Sequence, residues 1–260
     1  MLKGRVALVT GGGMGIGRGI AMALADQGVR VAVCGRRREC LEQTVAHIQE
    51  RGGEATGVIA DVTRRADVQR VVESVVKAWR RIDILVNNAG VSGRTPMDDP
   101  DDARWLTILQ VNLTGSYVCS KLVLPHMSGP AYGRIINMSS VLGRFGVPGY
   151  TAYCTAKHGI LGFTKALALE VADRGITVNA ICPTWVDTDM ARQGIEETAA
   201  VSGISAETFR ARAIAAVPIK RMAEVGEIAA LTVFLCQTEA AAITGQGLNV
   251  CGGATAGSGG

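Results

Sequence analysis

Arg5-Val6-Ala7-Leu8-Val9-Thr10-Gly11-Gly12-Gly13-Met14-Gly15-Ile16-Gly17 runs from a short apolar strand into a glycine turn, after which Ile16, Ile20 and Leu24 recur at helical spacing. A strand that turns on glycines into a helix start can hold a phosphate. Gly11 permits the tight turn, Gly15 lets backbone approach the ligand, and Gly17 lets the helix pack closely on the sheet. The helix N-terminus adds free N–H groups and the positive end of its dipole. Taken alone, such a turn is as often a glycine loop with no ligand, so the rest of the chain has to decide.

Outward from this turn, apolar runs of strand length at 5–10, 29–34, 55–61, 82–87, 133–139, 176–182 and 247–251 alternate with segments of helical period, such as Val68, Val71, Val72, Val75 and Val76. That alternation predicts an α/β fold, a single-domain doubly wound (Rossmann) parallel sheet of about seven strands with helices on both faces. The 260 residues are 48% hydrophobic, 19% charged and 4% aromatic, which suits one large Gly/Ala/Val-rich domain over 1–260. A net charge of +4 argues for neither nucleic acid nor a membrane surface as partner. Seven cysteines, odd in number and never spaced C-x-x-C, suggest neither a disulfide framework nor a metal site. With no cleavage-type segment and no apolar stretch of ~18 residues, the expected location is cytoplasmic.

Loops are expected at 91–102, 141–149 and 254–260, where Gly, Pro and Asp gather. The long polar segment 184–217 falls beyond the carboxyl end of the sixth strand, where open α/β sheets bind ligands, and is expected to be a mobile substrate lid.

Tyr153 and Lys157 stand four residues apart, thirteen residues after Ser140. Residues at that spacing share a helix face, with Cβ atoms about 6 Å apart, so the ammonium can lie beside the phenol. An unperturbed tyrosine is a poor base at neutral pH, and a neighbouring cation together with an oxidised nicotinamide is expected to favour the phenolate. Tyr153 would then act as general acid in reduction and general base in oxidation, with Ser140 hydrogen-bonding the substrate oxygen as charge develops there. A bare Tyr-x-x-x-Lys is more often two ordinary helix residues. The serine at this distance makes that reading poor.

The spacing T-G-x-x-x-G-x-G, with Asp61-Val62, Asn87-Asn88-Ala89-Gly90, Asn112 and the Ser140, Tyr153, Lys157 set in order, resembles the classical short-chain dehydrogenase/reductase family along essentially the whole chain. The resemblance implies a catalytic tetrad of Asn112, Ser140, Tyr153 and Lys157, with the Asn112 backbone holding a water that links Lys157 to solvent. It implies cofactor contacts from Gly11, Gly13, Met14, Gly15, Ile16, Gly17, Asp61, Val62, Asn88, Ala89, Gly90, Pro183, Val186 and Thr188, together with Tyr153 and Lys157. Thr184 stands where the family usually has glycine after the proline, which alters the nicotinamide wall. Leu142, Arg144, Tyr150, Trp185 and Met190 flank the tetrad in sequence and are expected either to shape a largely apolar substrate pocket or simply to pack.

At the end of the second strand, where NAD-preferring folds place a carboxylate, the chain reads Gly35-Arg36-Arg37-Arg38. Nothing there repels a 2′-phosphate. Arg36, with Arg37 or Arg38 sharing the role, points to NADP rather than NAD, the alternative being a solvated basic patch. His47, His126 and His158 have no evident partner and are expected to be structural.

Within the family, Lys157-His158-Gly159-Ile160-Leu161-Gly162-Phe163-Thr164-Lys165 and Leu248-Asn249-Val250-Cys251-Gly252-Gly253 resemble the 3-oxoacyl-carrier-protein reductases and aromatic polyketide ketoreductases. That implies an NADPH-dependent ketone reductase with a small-molecule or carrier-bound substrate. Carrier-protein reductases often carry a basic run where this chain has the uncharged Ser128-Gly129-Pro130-Ala131-Tyr132, so a free ketone is an equal candidate. A catabolic secondary-alcohol dehydrogenase would use the same residues in reverse. A non-catalytic dinucleotide sensor would be expected to have lost Tyr153 or Lys157. Two helices near 103–127 and 152–172, rich in small and apolar residues, resemble the family's subunit-packing helices and imply a homotetramer.

Overall fold

The computed structural model describes residues 2–127 and 132–257. Seven parallel strands form one sheet: β1 (Val6–Thr10), β2 (Arg30–Gly35), β3 (Ala55–Ile59), β4 (Ile84–Asn87), β5 (Gly133–Met138), β6 (Ile176–Pro183) and β7 (Gly247–Val250). Their order is β3-β2-β1-β4-β5-β6-β7. The chain winds outward from β1, then returns to lay β4 on its other side, and this reversal opens a crevice at the carboxyl ends of β1 and β4.

Helices cover both faces. On one, Ile20 and Leu24 of α1 (Gly15–Asp26), Ile48 of α2 (Arg38–Glu50) and Ile228 and Leu235 of α9 (Val225–Cys236) bury against the sheet. On the other, the Val68, Val71, Val72, Val75 stripe of α3 (Arg65–Trp79) packs with Cys119 and Val123 of α5 (Gly115–Val123) and Leu167 and Val171 of α6 (Thr151–Val171). Strands buried on both faces read as the unbroken apolar runs that marked them in the sequence.

Two strands, β3 and β4, are two residues shorter than their apolar runs. β4 begins at Ile84 because the buried Asp83 carboxylate, not a ladder carbonyl, takes the Val6 N–H at 2.9 Å. β3 stops at Ile59, and two residues on the Asp61 N–H goes to the Asp67 carboxylate at 3.0 Å.

The helix expected near 103–127 is α4 (Ala103–Leu109), a π turn over Gln110–Thr114, then α5, ending in a 3-10 turn Leu124–His126 that contains Pro125. The segment 184–217, expected as a lid, contains a helical hairpin: α7 (Asp189–Val201), capped by the Thr188 hydroxyl, and α8 (Ala206–Ala216), capped by Ser205. The uncharged stretch Ser128 to Ala131 lies outside the described residues.

Gly17 sets the distance between α1 and the sheet. A Cβ there would sit 2.3 Å from the Gly11 carbonyl oxygen and 2.4 Å from Asn88 Nδ2. Overpacking of this kind costs about 1–3 kcal/mol. Gly17→Ala is expected to lower the urea midpoint by that equivalent with an unchanged denaturant slope; an unchanged midpoint would show that helix and turn can part.

Candidate active site

A single cavity of about 1210 Å³ runs from the glycine turn, past the ends of β4 and β5, to the inner side of the α7–α8 hairpin. At one end stand Gly11, Gly13, Met14, Gly15 and Ile16, with Arg36 and Arg37 beyond them and Asp61 and Val62 opposite. Asn88, Ala89, Gly90, Asn112, Ser140, Tyr153, Lys157, Pro183, Val186 and Thr188 line the middle. Gly17 does not line it and serves the close packing described above.

The start of α1 is open to a ligand. Its N-cap, Met14, supplies no side-chain acceptor, and no acidic residue stands in the first turn, so the leading N–H groups are uncapped. Gly11, at φ +64°, takes a backbone conformation that residues with a Cβ rarely adopt. Asn88 braces this turn, its Nδ2 donating to the Thr10 and Gly11 carbonyls at 3.0 and 3.2 Å. Arg38 pairs with Glu42 at 3.6 Å, whereas Arg36 and Arg37 make no ion pair within 4 Å among the described residues. Arg37 instead folds against the Met14 sulfur at the mouth of the turn. Burial works against ionisation of Asp61, but the Thr63 N–H and hydroxyl and the nearby Arg36 hold its carboxyl below the usual range. Uncapped N–H groups, unpaired arginines and a glycine turn form a donor set suited to a phosphate-bearing dinucleotide.

The proton-transfer groups are placed by α6. Thr95, buried in the loop after β4, anchors the first turn of that helix: its hydroxyl accepts the Ala152 N–H at 3.1 Å, and its carbonyl accepts from Thr151 Oγ1 at 2.7 Å. Tyr153 in that turn meets the hydroxyl of Ser140, just beyond β5. The neighbouring serine has a different task, since Ser139 Oγ donates to the Lys157 carbonyl at 2.9 Å. Of the two serines, Ser140 is the one that faces the phenol. Ser140 Oγ also accepts the Leu142 N–H at 3.1 Å and donates to the Pro183 carbonyl at 3.4 Å.

Lys157 is 4% exposed, and its Nζ donates to the Met138 carbonyl at 2.8 Å, lying 5.3 Å from the centroid of the Tyr153 ring. The ammonium therefore sits over the ring and not at the hydroxyl. Burial pushes the Tyr153 phenol up to about 12, against an opposing hydrogen bond from Ser140. In the protein without its cofactor desolvation dominates and keeps the phenol protonated, whereas the expected phenolate rests on the lysine together with an oxidised nicotinamide. Burial likewise pushes Lys157 down to about 8.

Asn112 lies in the π turn, with Nδ2 donating to the carbonyls of Val91 at 2.8 Å and Ile108 at 2.9 Å while its buried Oδ1 has no partner. Of the expected pocket residues, Leu142, Tyr150, Trp185 and Met190 line the lid half of the cavity. Arg144 does not. Its guanidinium turns to the C-terminal strand and donates to the Gly247 carbonyl at 2.5 Å, a backbone acceptor its place in the sequence could not disclose.

Sequence reading missed Phe145, Thr198 and Phe209, which also line the lid half, and Thr95, which anchors α6. Thr198 and Phe209 lie in the segment 184–217 expected to form the lid, and Phe145 in the expected loop 141–149, but none of the three carries a signal of its own. No histidine lines the cavity, and no cluster of potential metal ligands occurs among the described residues.

The family model described as "short chain dehydrogenase" matches residues 5–199, and the chain belongs to that family of oxidoreductases. More particularly, the chain is similar to a variant actinorhodin polyketide ketoreductase solved with NADPH, at 42% identity and a TM-score of 0.93, covering 96% of this chain and 97% of that one. An NAD+-bound xylitol dehydrogenase superposes with a TM-score of 0.93 at 34% identity, covering 97% of this chain and 99% of that one. The 3-oxoacyl-[acyl-carrier-protein] reductase FabG of Haemophilus influenzae is 38% identical over 252 residues, covering 97% of this chain and 98% of the relative.

Because the folded-state pKa of Lys157 is lowered from 10.5 to about 8, its burial penalty is full below about pH 8 and is lost as pH rises toward 10.5. Lys157→Met removes that charge at the loss of one hydrogen bond worth about 1 kcal/mol. In the protein free of cofactor, the variant is expected to resist urea better at pH 7 by about 1–2 kcal/mol, a margin that shrinks by pH 10. Paired urea titrations at the two pH values check this; a margin independent of pH would show that Lys157 does not titrate there.

Proposed function

We propose that the protein is an NADPH-dependent reductase of ketones, accepting 3-oxoacyl, polyketide-like or other bulky carbonyl compounds. The observation that carries this is that Ser140, Tyr153 and Lys157 line one cavity where its dinucleotide end meets its apolar lid half, with Lys157 Nζ 5.3 Å from the centroid of the Tyr153 ring. Similarity to a polyketide ketoreductase with NADPH and to FabG supports it. When bound, the nicotinamide supplies the hydride.

The chain's own residues do the rest. The glycine turn and the start of α1 hold the pyrophosphate, Asp61 and Val62 the adenine side, and Asn88 to Gly90, Pro183, Val186 and Thr188 the nicotinamide half. Ser140 Oγ hydrogen-bonds the substrate oxygen as it gains charge, and Tyr153 Oη gives that oxygen its proton. Lys157, tied to Met138, keeps a positive charge under the ring that stabilises the tyrosine once its proton has left. The Asn112 carbonyl accepts from Ser116 Oγ at 2.9 Å and keeps a second lone pair for the water that returns a proton toward Lys157.

The oxidative reading, a secondary-alcohol dehydrogenase, has the NAD+-bound xylitol dehydrogenase in its favour. It uses Tyr153 as the base in place of the acid, and assays of both directions with both cofactors separate the two readings. A dinucleotide sensor has no need of the complete tetrad found here.

Arg36 and Arg37, which make no ion pair within 4 Å among the described residues, support NADP over NAD. On the flank of α4, α5 and α6, Leu106, Tyr117 and Leu169 stand exposed at 58%, 44% and 84%, which supports burial between subunits of a homotetramer. All seven cysteines are free thiols, in keeping with a cytoplasmic location, and no helix among the described residues is long and apolar enough to cross a membrane.

Tyr153→Phe is expected to reduce turnover to below a tenth while NADPH still binds, as followed by fluorescence titration and steady-state rates. More residual activity would remove Tyr153 as the acid. A charge-assisted arginine contact to the 2′-phosphate contributes about 1.5–3 kcal/mol, so NADPH is expected to bind roughly tenfold or more tightly than NADH and Arg36→Asp to reverse the order. Equal affinities in the unaltered protein would reduce the arginines to a solvated patch. Light scattering at micromolar concentration is expected to give the mass of four chains, and a monomer would refute the assembly.

A further inference from the structure

The lid half of the cavity is walled by apolar side chains, with Trp185 and Phe209 in edge contact at 6.4 Å, yet it contains a pair of hydroxyls that the proton transfer does not use. Tyr150, 6% exposed, and Thr198 of α7 both line it, with Tyr150 Oη 2.8 Å from Thr198 Oγ1. Thr198 Oγ1 also lies 2.7 Å from the Gly194 carbonyl, which can only accept. A threonine hydroxyl has one hydrogen. Committed to Gly194, it leaves Thr198 to accept from Tyr150, so the chain of bonds runs from the Tyr150 O–H to Thr198 to Gly194. The phenol's single hydrogen is used, and what Tyr150 still offers the cavity is an acceptor.

Its position is well held. The Arg94 guanidinium lies 5.8 Å over the ring, and the Tyr150 N–H donates to the Val147 carbonyl at 3.2 Å. As the N-cap of α6, Tyr150 stands three residues before Tyr153, about one helical turn from the proton donor.

We propose that Tyr150 and Thr198 form a specificity pair that selects ketones carrying a hydrogen-bond donor, a hydroxyl or an amide N–H, about one helical turn from the reacting carbonyl on an otherwise apolar body. The proposal rests on the ketone-reductase function above and names its substrate class. A ring hydroxyl and the amide of an acyl-thioester arm share this chemistry.

The test compares kcat/KM with NADPH in matched sets: the monohydroxy 2-tetralones against 2-tetralone, and the N-acetylcysteamine thioester of acetoacetate against its S-butyl thioester, which lacks the amide. In the unaltered protein, at least one donor-bearing ketone is expected to exceed its donor-free partner fivefold or more, and which set shows the preference identifies the source of the donor. Tyr150→Phe keeps the ring and should bring that ratio to about one. Thr198→Val keeps the volume and frees the phenol hydrogen, so the corresponding ether or N-methyl amide should gain threefold or more relative to the unaltered protein, an inversion that a purely structural pair would not produce. Ratios near one in the unaltered protein, or equal losses for both members of a set in Tyr150→Phe, would overturn the proposal and leave the pair as a tie between lid and core. If ethyl acetoacetate, run in parallel, is reduced while the sets show no donor preference, only the specificity pair fails. If no ketone tried is reduced, the reductase function fails with it.

Discussion

Everything in this molecule hangs on how β1 is joined to β4 where the winding of the sheet reverses. Thr10 Oγ1 accepts the backbone N–H groups of Asn88 and Ala89, each at 3.0 Å, and donates to the Val86 carbonyl at 3.3 Å. Asn88 answers by donating to the Thr10 and Gly11 carbonyls. Two side chains thus satisfy backbone groups on both sides of the crevice that strand pairing has to abandon there, and an unsatisfied buried group would cost about 1–3 kcal/mol. With that join made, the glycine turn stays open and the start of α1 faces the cavity.

A second polar seam lies beneath the catalytic helix. Asn87 Nδ2 bonds to Asn137 Oδ1 and Ser120 Oγ, and Asn137 Nδ2 donates to Thr164 Oγ1, all buried. It connects β4 and β5 to α5 and α6 with directional contacts that apolar packing alone does not supply. Tyr153 is therefore located by two fixed references, Thr95 at the head of α6 and this seam farther along the same helix.

Much of this was legible in the sequence. Strand-length apolar runs marked all seven strands, the five inner ones because they are buried on both faces and the edge strands β3 and β7 because they still lay Val58, Leu248 and Val250 against the core. The four residues expected to form a tetrad stood out because that chemistry requires particular side chains at particular distances. The misses share a physical origin. Arg144 was assigned to the pocket by adjacency, but a long side chain goes where its acceptors are, and the nearest lay on β7. The segment 184–217 hid two helices because α8 buries no residue fully, leaving a weak apolar stripe. Spacing also carries no information about desolvation, which dominates at Tyr153 in the protein alone. Thr95 could not be found at all, since its part is played by one hydroxyl and one backbone carbonyl in a loop.

The π turn at Gln110–Thr114 has a consequence for how this chain tolerates change in length. Its wide turn uses one residue more than the α-helix on either side would need. Excising a single residue there would let Ala103–Val123 close into one regular helix while Cys119 and Val123 keep facing the core, because the wide turn already absorbs the roughly 100° that one α-helical residue adds. What would be lost is the bulge itself and the backbone conformation it gives Asn112. The helix thus carries one residue more than its preferred geometry needs, and Asn112 occupies the slack.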